Sequence, residues 1–280
     1  MVAKTVGKMV DANTFWGWSQ DRGAMTPLAA SLLVILLYCV LARAGRRLVH
    51  RHLGDSLLRA LLLEALVAAE LCAVASELAI VAGNYGVPVF AALLCLLIVW
   101  WSAQWGDASA CPYTHLEDVV EGRQDLGQAV LKIWAELAGG VLVFRFVQLL
   151  WSLELTENHR GRAFAECSAD LQVSALYGAL VEGAATCLSR LTSRAIYDLQ
   201  PRFGTAIGSV IGTSLVVAAL NHSGGYFNPM LATVLKYGCR GHSAWEHVLV
   251  YWVGASAGSI ASVFLYRLPA VQAVVRRKAD

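Results

Sequence analysis

Seven mostly apolar stretches recur along the chain, at residues 27–44, 56–81, 87–104, 127–153, 170–191, 203–220 and 244–266. A helix of about 20 such residues crosses the roughly 30 Å hydrocarbon core of a bilayer. A chain of 280 residues that repeats the pattern seven times has little length left for a water-soluble core. Composition agrees, with 57% hydrophobic and 15% charged residues, where a soluble domain carries about a quarter charged. The expected fold is an all-α membrane protein whose main partner is the lipid bilayer. A net charge of +2 gives no reason to expect nucleic acid.

Basic residues gather in two places. Arg43, Arg46, Arg47, Arg51 and Arg59 follow the first stretch, and Arg276, Arg277 and Lys278 close the chain. Both read as solvated cytoplasmic flanks of membrane spans. Trp100, Trp101 and Trp105 read as an aromatic edge at an interface. Residues 1–23 show no apolar core and cleavage site of a signal peptide. Four of the seven cysteines, Cys39, Cys72, Cys95 and Cys187, lie in apolar runs as small hydrophobes. No Cys/His spacing suggests a metal site, and no cofactor is expected.

The chain divides into two related halves. Glu64 and Glu182 each stand inside an apolar span, and each is followed, 48 and 47 residues later, by the proline of an Xaa-Pro turn at Pro112 and Pro229. Each unit therefore has three spans and one short re-entrant segment. An odd number of crossings inverts the second copy, the inverted repeat of many transport proteins. The expected boundaries are 1–55 for a tail, an additional apolar helix and a basic loop, 56–153 and 154–267 for the two repeats, and 268–280 for a basic tail. A carboxylate at the centre of a membrane helix costs about 2.5–3.5 kcal/mol. Two readings stand for Glu64 and Glu182: braces for the irregular backbone of the turns, which is favoured, or a proton relay.

Residues 221–229 read Asn-His-Ser-Gly-Gly-Tyr-Phe-Asn-Pro. Asn228 is a good N-cap and Pro229 suits the first helical position. A half-helix follows whose positive end points into the membrane, where it orients water and opposes cations. With Phe227-Asn228-Pro229, the paired Glu units, and Tyr251-Trp252-Val253-Gly254 followed by Gly258, residues 64–266 resemble the aquaporins, or major intrinsic proteins. The resemblance implies a bundle of six spans plus two re-entrant half-helices, here with an additional N-terminal helix. It also implies a homotetramer and a passive channel for water and small neutral solutes, not an enzyme.

The pore motifs implied are Cys111-Pro112-Tyr113 and Asn228-Pro229-Met230, with Glu64 and Glu182 as braces. The usual first motif is Asn-Pro-Ala, and an arginine usually stands where Leu231 does here. These departures, with Cys239, resemble the unorthodox superaquaporin branch, and the Cys-Pro-Tyr variant is similar to arthropod members. Family spacing implies a constriction at Val216, Gly225 and Leu231, with Phe90 or Ala91 opposite. Without the arginine, the filter is expected to be relaxed, admitting glycerol or hydrogen peroxide beside water. Cys239 is implied to matter for folding or redox state. A packed free thiol is expected there in preference to a disulfide with Cys167.

Three acids, Glu117, Asp118 and Glu121, stand in the first re-entrant segment and are expected in a wet vestibule. Gly204, Gly208 and Gly212 are expected at a close helix crossing, and Lys132 and Glu136 as an i,i+4 pair. The closing Arg277-Lys278-Ala279-Asp280 is similar to a dilysine retrieval signal, which points to the endoplasmic reticulum, with the plasma membrane as runner-up. A proton-coupled transporter or a non-conducting structural protein of the same fold are the rival functions.

Overall fold

The computed structural model describes residues 26–279, apart from the side chains at 274 and 276–279. The reading of residues 1–23 and the basic side chains of the closing motif lie outside it. Every long element among the described residues is helical, and three of the long helices start behind a side-chain cap. Helix α1 (Pro27–His52) opens behind Thr26, whose hydroxyl accepts from Ala29 N. Helix α2 (Leu57–Gln104) opens behind Ser56, capping Arg59 N. The short α3 (Pro112–Val120) has proline at its first position. Helix α4 (Leu126–Ser152) is capped by Asp125.

Helices α5 (Ala175–Leu199), α6 (Gly204–Ala219) and the short α7 (Pro229–Lys236) follow. The last long element is composite: α8 (Ala244–His247) passes through a π-helical stretch, Val248–Gly254, into α9 (Ala255–Tyr266). Helix α10 (Pro269–Ala279) ends the chain, so the tail expected from 268 onward is largely helical. Three elements, α1, α2 and the composite 244–266, are long and apolar enough to cross a membrane by length and hydropathy.

Two expectations are corrected here. First, the stretches 56–81 and 87–104, read as separate spans, are two limbs of α2 joined at a break: Gly86 has φ 80° and ψ 175°, a conformation glycine tolerates because it has no Cβ. Helix resumes at once, with Pro88 placed where its missing N–H costs least. Second, the basic stretch 43–52 is the last part of α1 and not a loop. Arg46 within it is buried and paired with the buried Glu70 on α2. Trp100 and Trp105, both only partly exposed, turn their polar ends inward. Their indole N–H groups donate to the same Glu70 carboxylate at 3.3 and 3.2 Å, and Trp101 is buried and stacked on Trp105. A lone buried carboxylate is costly, and three donors converging on it remove that cost.

Helix α1 lies along α2 and shares with it and α4 a core of Ile35, Tyr38, Cys39, Ala73, Val74, Leu78 and Val147. Its opposite side carries exposed Leu33, Leu36, Val40 and Leu48, suited to lipid rather than water. At its start, Asn158 from the segment between α4 and α5 donates to the Pro27 carbonyl at 2.8 Å, and Asn84 donates to Asn158.

The expected crossing at Gly204, Gly208 and Gly212 is also corrected. The space before Gly208 and Gly212 ends at flexible tips, Ile196 Cδ1 and Ile98 Cδ1, and not at another backbone. Backbone does meet backbone between α5 and the last element: a Cβ on Gly258 would strike the Gly183 carbonyl, and one on Gly254 would lie 2.6 Å from the Ala179 oxygen. A second such contact joins Gly139 of α4 to Ala65 of α2. The π-helical turn ends at Gly254, so the widened backbone sits where the crossing is tightest.

Candidate pore site

The two short helices α3 and α7 face one another with their first turns, and their turns are built alike. Ala110, before the first N-cap, has φ 52°, and Phe227, before the second, has φ 46°. The caps themselves match: Cys111 at φ −147°, ψ 117° and Asn228 at φ −152°, ψ 108°. Left-handed backbone is uncommon for residues with a Cβ and persists where surroundings fix it. Here the surroundings are the two buried glutamates. Glu64 Oε2 accepts from Ser109 N at 3.1 Å and Ala110 N at 3.2 Å. Glu182 Oε2 accepts from Phe227 N at 2.6 Å, while Oε1 accepts from Tyr226 N at 3.2 Å and the Ser223 hydroxyl at 2.6 Å.

The caps differ in chemistry. Asn228 Oδ1 accepts from Met230 N and Leu231 N at 3.0 and 3.2 Å. Its Nδ2 donates to the Ala110 carbonyl at 2.7 Å, joining the two turns directly. Cys111 makes no such bond with its side chain. The neighbourhood compensates: Ser109 Oγ accepts from Cys111 N at 3.4 Å, and Thr114 Oγ1 donates to the Cys111 carbonyl at 2.7 Å. The two hydroxyls are 2.6 Å apart. Cys111 and Tyr113 pack with Ala255, and Pro112 is buried beside them. Pro229 is buried, and Met230, fully buried, receives the Cys72 thiol on its sulfur at 3.5 Å.

The residues anticipated at the constriction are spread over different contacts. Gly225 is held against the Val216 carbonyl, where a Cβ would lie at 2.6 Å, and its φ of 67° suits only glycine well. Val216 packs beside Ala219 and Phe227. Leu231 packs with Val67, Ala68 and Met230. Phe90 is partly buried and packs against the core shared with α1, and Ala91 beside it is partly buried.

The acids of α3 do not stand in open water. Glu117 is buried and accepts from Arg190 in two parallel bonds of 2.7 Å, from Arg194 at 2.7 Å and from the Ser259 hydroxyl. Glu121 accepts from Arg194 at 2.9 Å and Arg267 at 3.2 Å. Burial opposes ionisation of Glu121, but Arg194 and Arg123 outweigh it and hold the carboxyl below its usual range. The Arg190 guanidinium also lies 6.0 Å from the Tyr113 ring centre, a cation–π distance. Lys132 does not pair with Glu136. It donates to Gln124 Oε1 at 3.1 Å, while Glu136, fully buried, meets His115 Nε2 at 3.1 Å.

Cys239 is not a free thiol: it is bonded to Cys167 across 72 residues of sequence. The backbone prepares the pair. Arg240 N donates to the Cys167 carbonyl at 3.1 Å and Ala169 N to the Arg240 carbonyl at 2.8 Å, so the two strands run side by side. The Cα atoms are 5.0 Å apart, within the range a disulfide needs.

Several functional contacts had no signal in motif spacing. Tyr251 donates its hydroxyl to the Ser223 carbonyl at 2.7 Å, and Trp252 donates to Thr233 Oγ1 at 2.9 Å. The Tyr-Trp pair of the last span thus grips both ends of the second turn and half-helix. Arg190 and Arg194 as partners of Glu117 were also unforeseen. Their one-turn spacing on α5 is the only hint in the sequence.

A cavity of about 720 Å³ lies between the second limb of α2 and helices α5 and α6. Its walls include Ile98, Ser102, Ser189, Ser193, Gly208 and Gly212. It is the space that the glycine stripe leaves.

No protein-family model matches the sequence. Individual relatives do. Aquaporin-11 of Milnesium tardigradum is 30% identical over 85% of this chain and 87% of its own length. Aquaporin-12 of Mus musculus is 27% identical over 87% of both. Among solved structures, the aquaglyceroporin from Plasmodium falciparum aligns with 88% of this chain and 95% of its own, at 14% identity and a TM-score of 0.48. With nearly the whole length matched at 30% identity, and with two matched Xaa-Pro turns meeting at Asn228, this chain belongs to the aquaporin family.

Proposed function

We propose that the chain is a passive membrane channel for water and small neutral solutes, with a relaxed filter. The observation that carries this reading is the junction of the two half-helices. Two positive helix ends converge on one point, held by Glu64 and Glu182 as braces, with the Asn228 amide between them. Such a point favours a neutral, orientable molecule and opposes cations.

The relaxed filter follows from Leu231 and Gly225, which place no fixed charge at the outer constriction. In this reading Phe90 or Ala91 faces Val216, Gly225 and Leu231 across the pore. The 720 Å³ cavity is then the cytoplasmic half of the path: Ser189 lies two turns beyond Glu182 on α5, and its mainly apolar walls, dotted with the hydroxyls of Ser102, Ser189 and Ser193, suit glycerol as well as water. The repeats run 56–153 and 154–267, the channel forms a homotetramer, and it resides in the endoplasmic reticulum membrane.

Stopped-flow light scattering on proteoliposomes tests the central claim. Water permeability well above empty vesicles, with measurable glycerol or hydrogen peroxide entry, is expected. Permeability equal to empty vesicles for all three overturns it.

A further inference from the structure

Behind the first turn, three buried side chains from three elements converge. Glu64 comes from α2, His115 from α3 and Glu136 from α4, and one ligand atom of each lies within 4.8 Å of the others. His115 Nε2 is 3.1 Å from Glu136 Oε1 and 3.6 Å from Glu64 Oε1. Glu64 divides its oxygens: Oε2 holds Ser109 N and Ala110 N, and Oε1 turns toward the imidazole.

Among the described residues, no basic side chain outside the cluster forms an ion pair with it. Lys132, one turn before Glu136, is drawn off to Gln124, and Arg190 is committed to Glu117. Among the described residues, the ion-pair contacts of these three groups are with each other alone. Two carboxylates would share one imidazole nitrogen, which carries a single hydrogen. Glu136 Oε2, on a side chain with no exposure, accepts no hydrogen bond of ordinary length and angle. Buried carboxylates persist where they are paired or coordinate a metal.

The spacing suits an ion. Tetrahedral zinc with bonds of about 2.0–2.2 Å to nitrogen and oxygen separates its ligand atoms by about 3.3–3.6 Å. The observed 3.1 and 3.6 Å bracket that range. Imidazole among the ligands argues against calcium and magnesium, which take oxygen and retain water.

We propose that Glu64, His115 and Glu136 form a structural site for one divalent transition-metal ion of the zinc class, with Glu136 Oε2 or a water completing the coordination. The ion neutralises both carboxylates and fastens α3 to α2 and α4. It acts through the backbone of the first turn, which the same Glu64 holds, and it does not stand in the path of solute. The proposal is independent of what the channel conducts. Ligands separated by 51 and 21 residues fit no metal-spacing motif, so the sequence concealed them.

The test is metal content by mass spectrometry of purified, untagged protein after exposure to zinc and removal of loosely held ion. About one zinc per chain is expected for the native sequence. Glu136→Gln keeps the volume and hydrogen bonding but removes a ligand charge, and should weaken retention at least tenfold. His242→Gln serves as the control, because His242 and His247 lie 3.0 Å apart and could collect zinc adventitiously. That variant should keep its zinc. Zinc at background in the native protein, or zinc lost with His242→Gln and kept with Glu136→Gln, overturns the proposal in favour of protons balancing the cluster. Should Glu136→Gln not fold, cobalt(II) added to His242→Gln decides: tetrahedral d–d bands support the site, and their absence overturns it.

Discussion

Ala110 and Phe227 each hold a left-handed backbone conformation and each give their N–H to a buried glutamate. The strain and its restraint form a unit, and each half is separately testable. Ala110→Val places a β-branched side chain where φ is positive and should cost about 1–3 kcal/mol, whereas Ala110→Gly should be tolerated. Thermal unfolding in detergent, followed by size-exclusion fluorescence, ranks the two. Glu182→Ala strands the N–H groups of Tyr226 and Phe227 and the Ser223 hydroxyl. At about 1–3 kcal/mol per unsatisfied buried group, loss of the folded peak on the same column is expected. The glutamates were legible because a carboxylate in an apolar run has few roles. The left-handed residues were not: nothing in the types Ala and Phe announces positive φ, and the glutamate that holds each one lies across the bundle.

Among elements, the glycines separate into two classes by what their missing side chains face. Gly258→Ala drives a methyl group into the Gly183 carbonyl and should destabilise the fold by roughly 1–3 kcal/mol or more. Gly212→Ala has Ile98 Cδ1 at 3.9 Å and should leave stability within about 0.5 kcal/mol. Where the cavity is part of the solute path, the same substitution should slow glycerol more than water in a stopped-flow comparison. Four-residue spacing shows a groove on a helix but not its neighbour, so sequence could not tell these classes apart.

The end of α3 behaves as an ionic clamp. Glu121 is held below the usual carboxylate range by Arg194 and Arg123. A depressed acid stabilises the folded state above its unfolded value of about 4.3 and loses that contribution as pH falls through the folded value. Midpoint temperature should therefore drop on acidification below about pH 4, and Glu121→Gln should flatten that part of the profile.

For the whole molecule, the inverted architecture and the seven helical stretches were readable, because lipid demands long apolar runs and the repeat spacing is nearly equal. What stayed hidden was long-range pairing: Arg46 with Glu70, Glu117 with Arg190, and Cys167 with Cys239. Each joins residues whose distance depends on how helices stack. Cys167→Ser with Cys239→Ser should lower stability by about 2–4 kcal/mol, and either single change should do nearly the same. Thermal midpoints with and without reductant give the check: the native protein should fall to the level of the double variant, which itself should not respond.

That cross-link also carries a time order. Cys167 emerges before α5, α6 and α7 have been made, and its partner follows 72 residues later. At roughly 5–20 residues per second of synthesis, the first thiol waits several seconds, open to mispairing with other thiols. The bond cannot close before the second turn and half-helix have been made, so its formation is a molecular receipt that synthesis has passed Cys239.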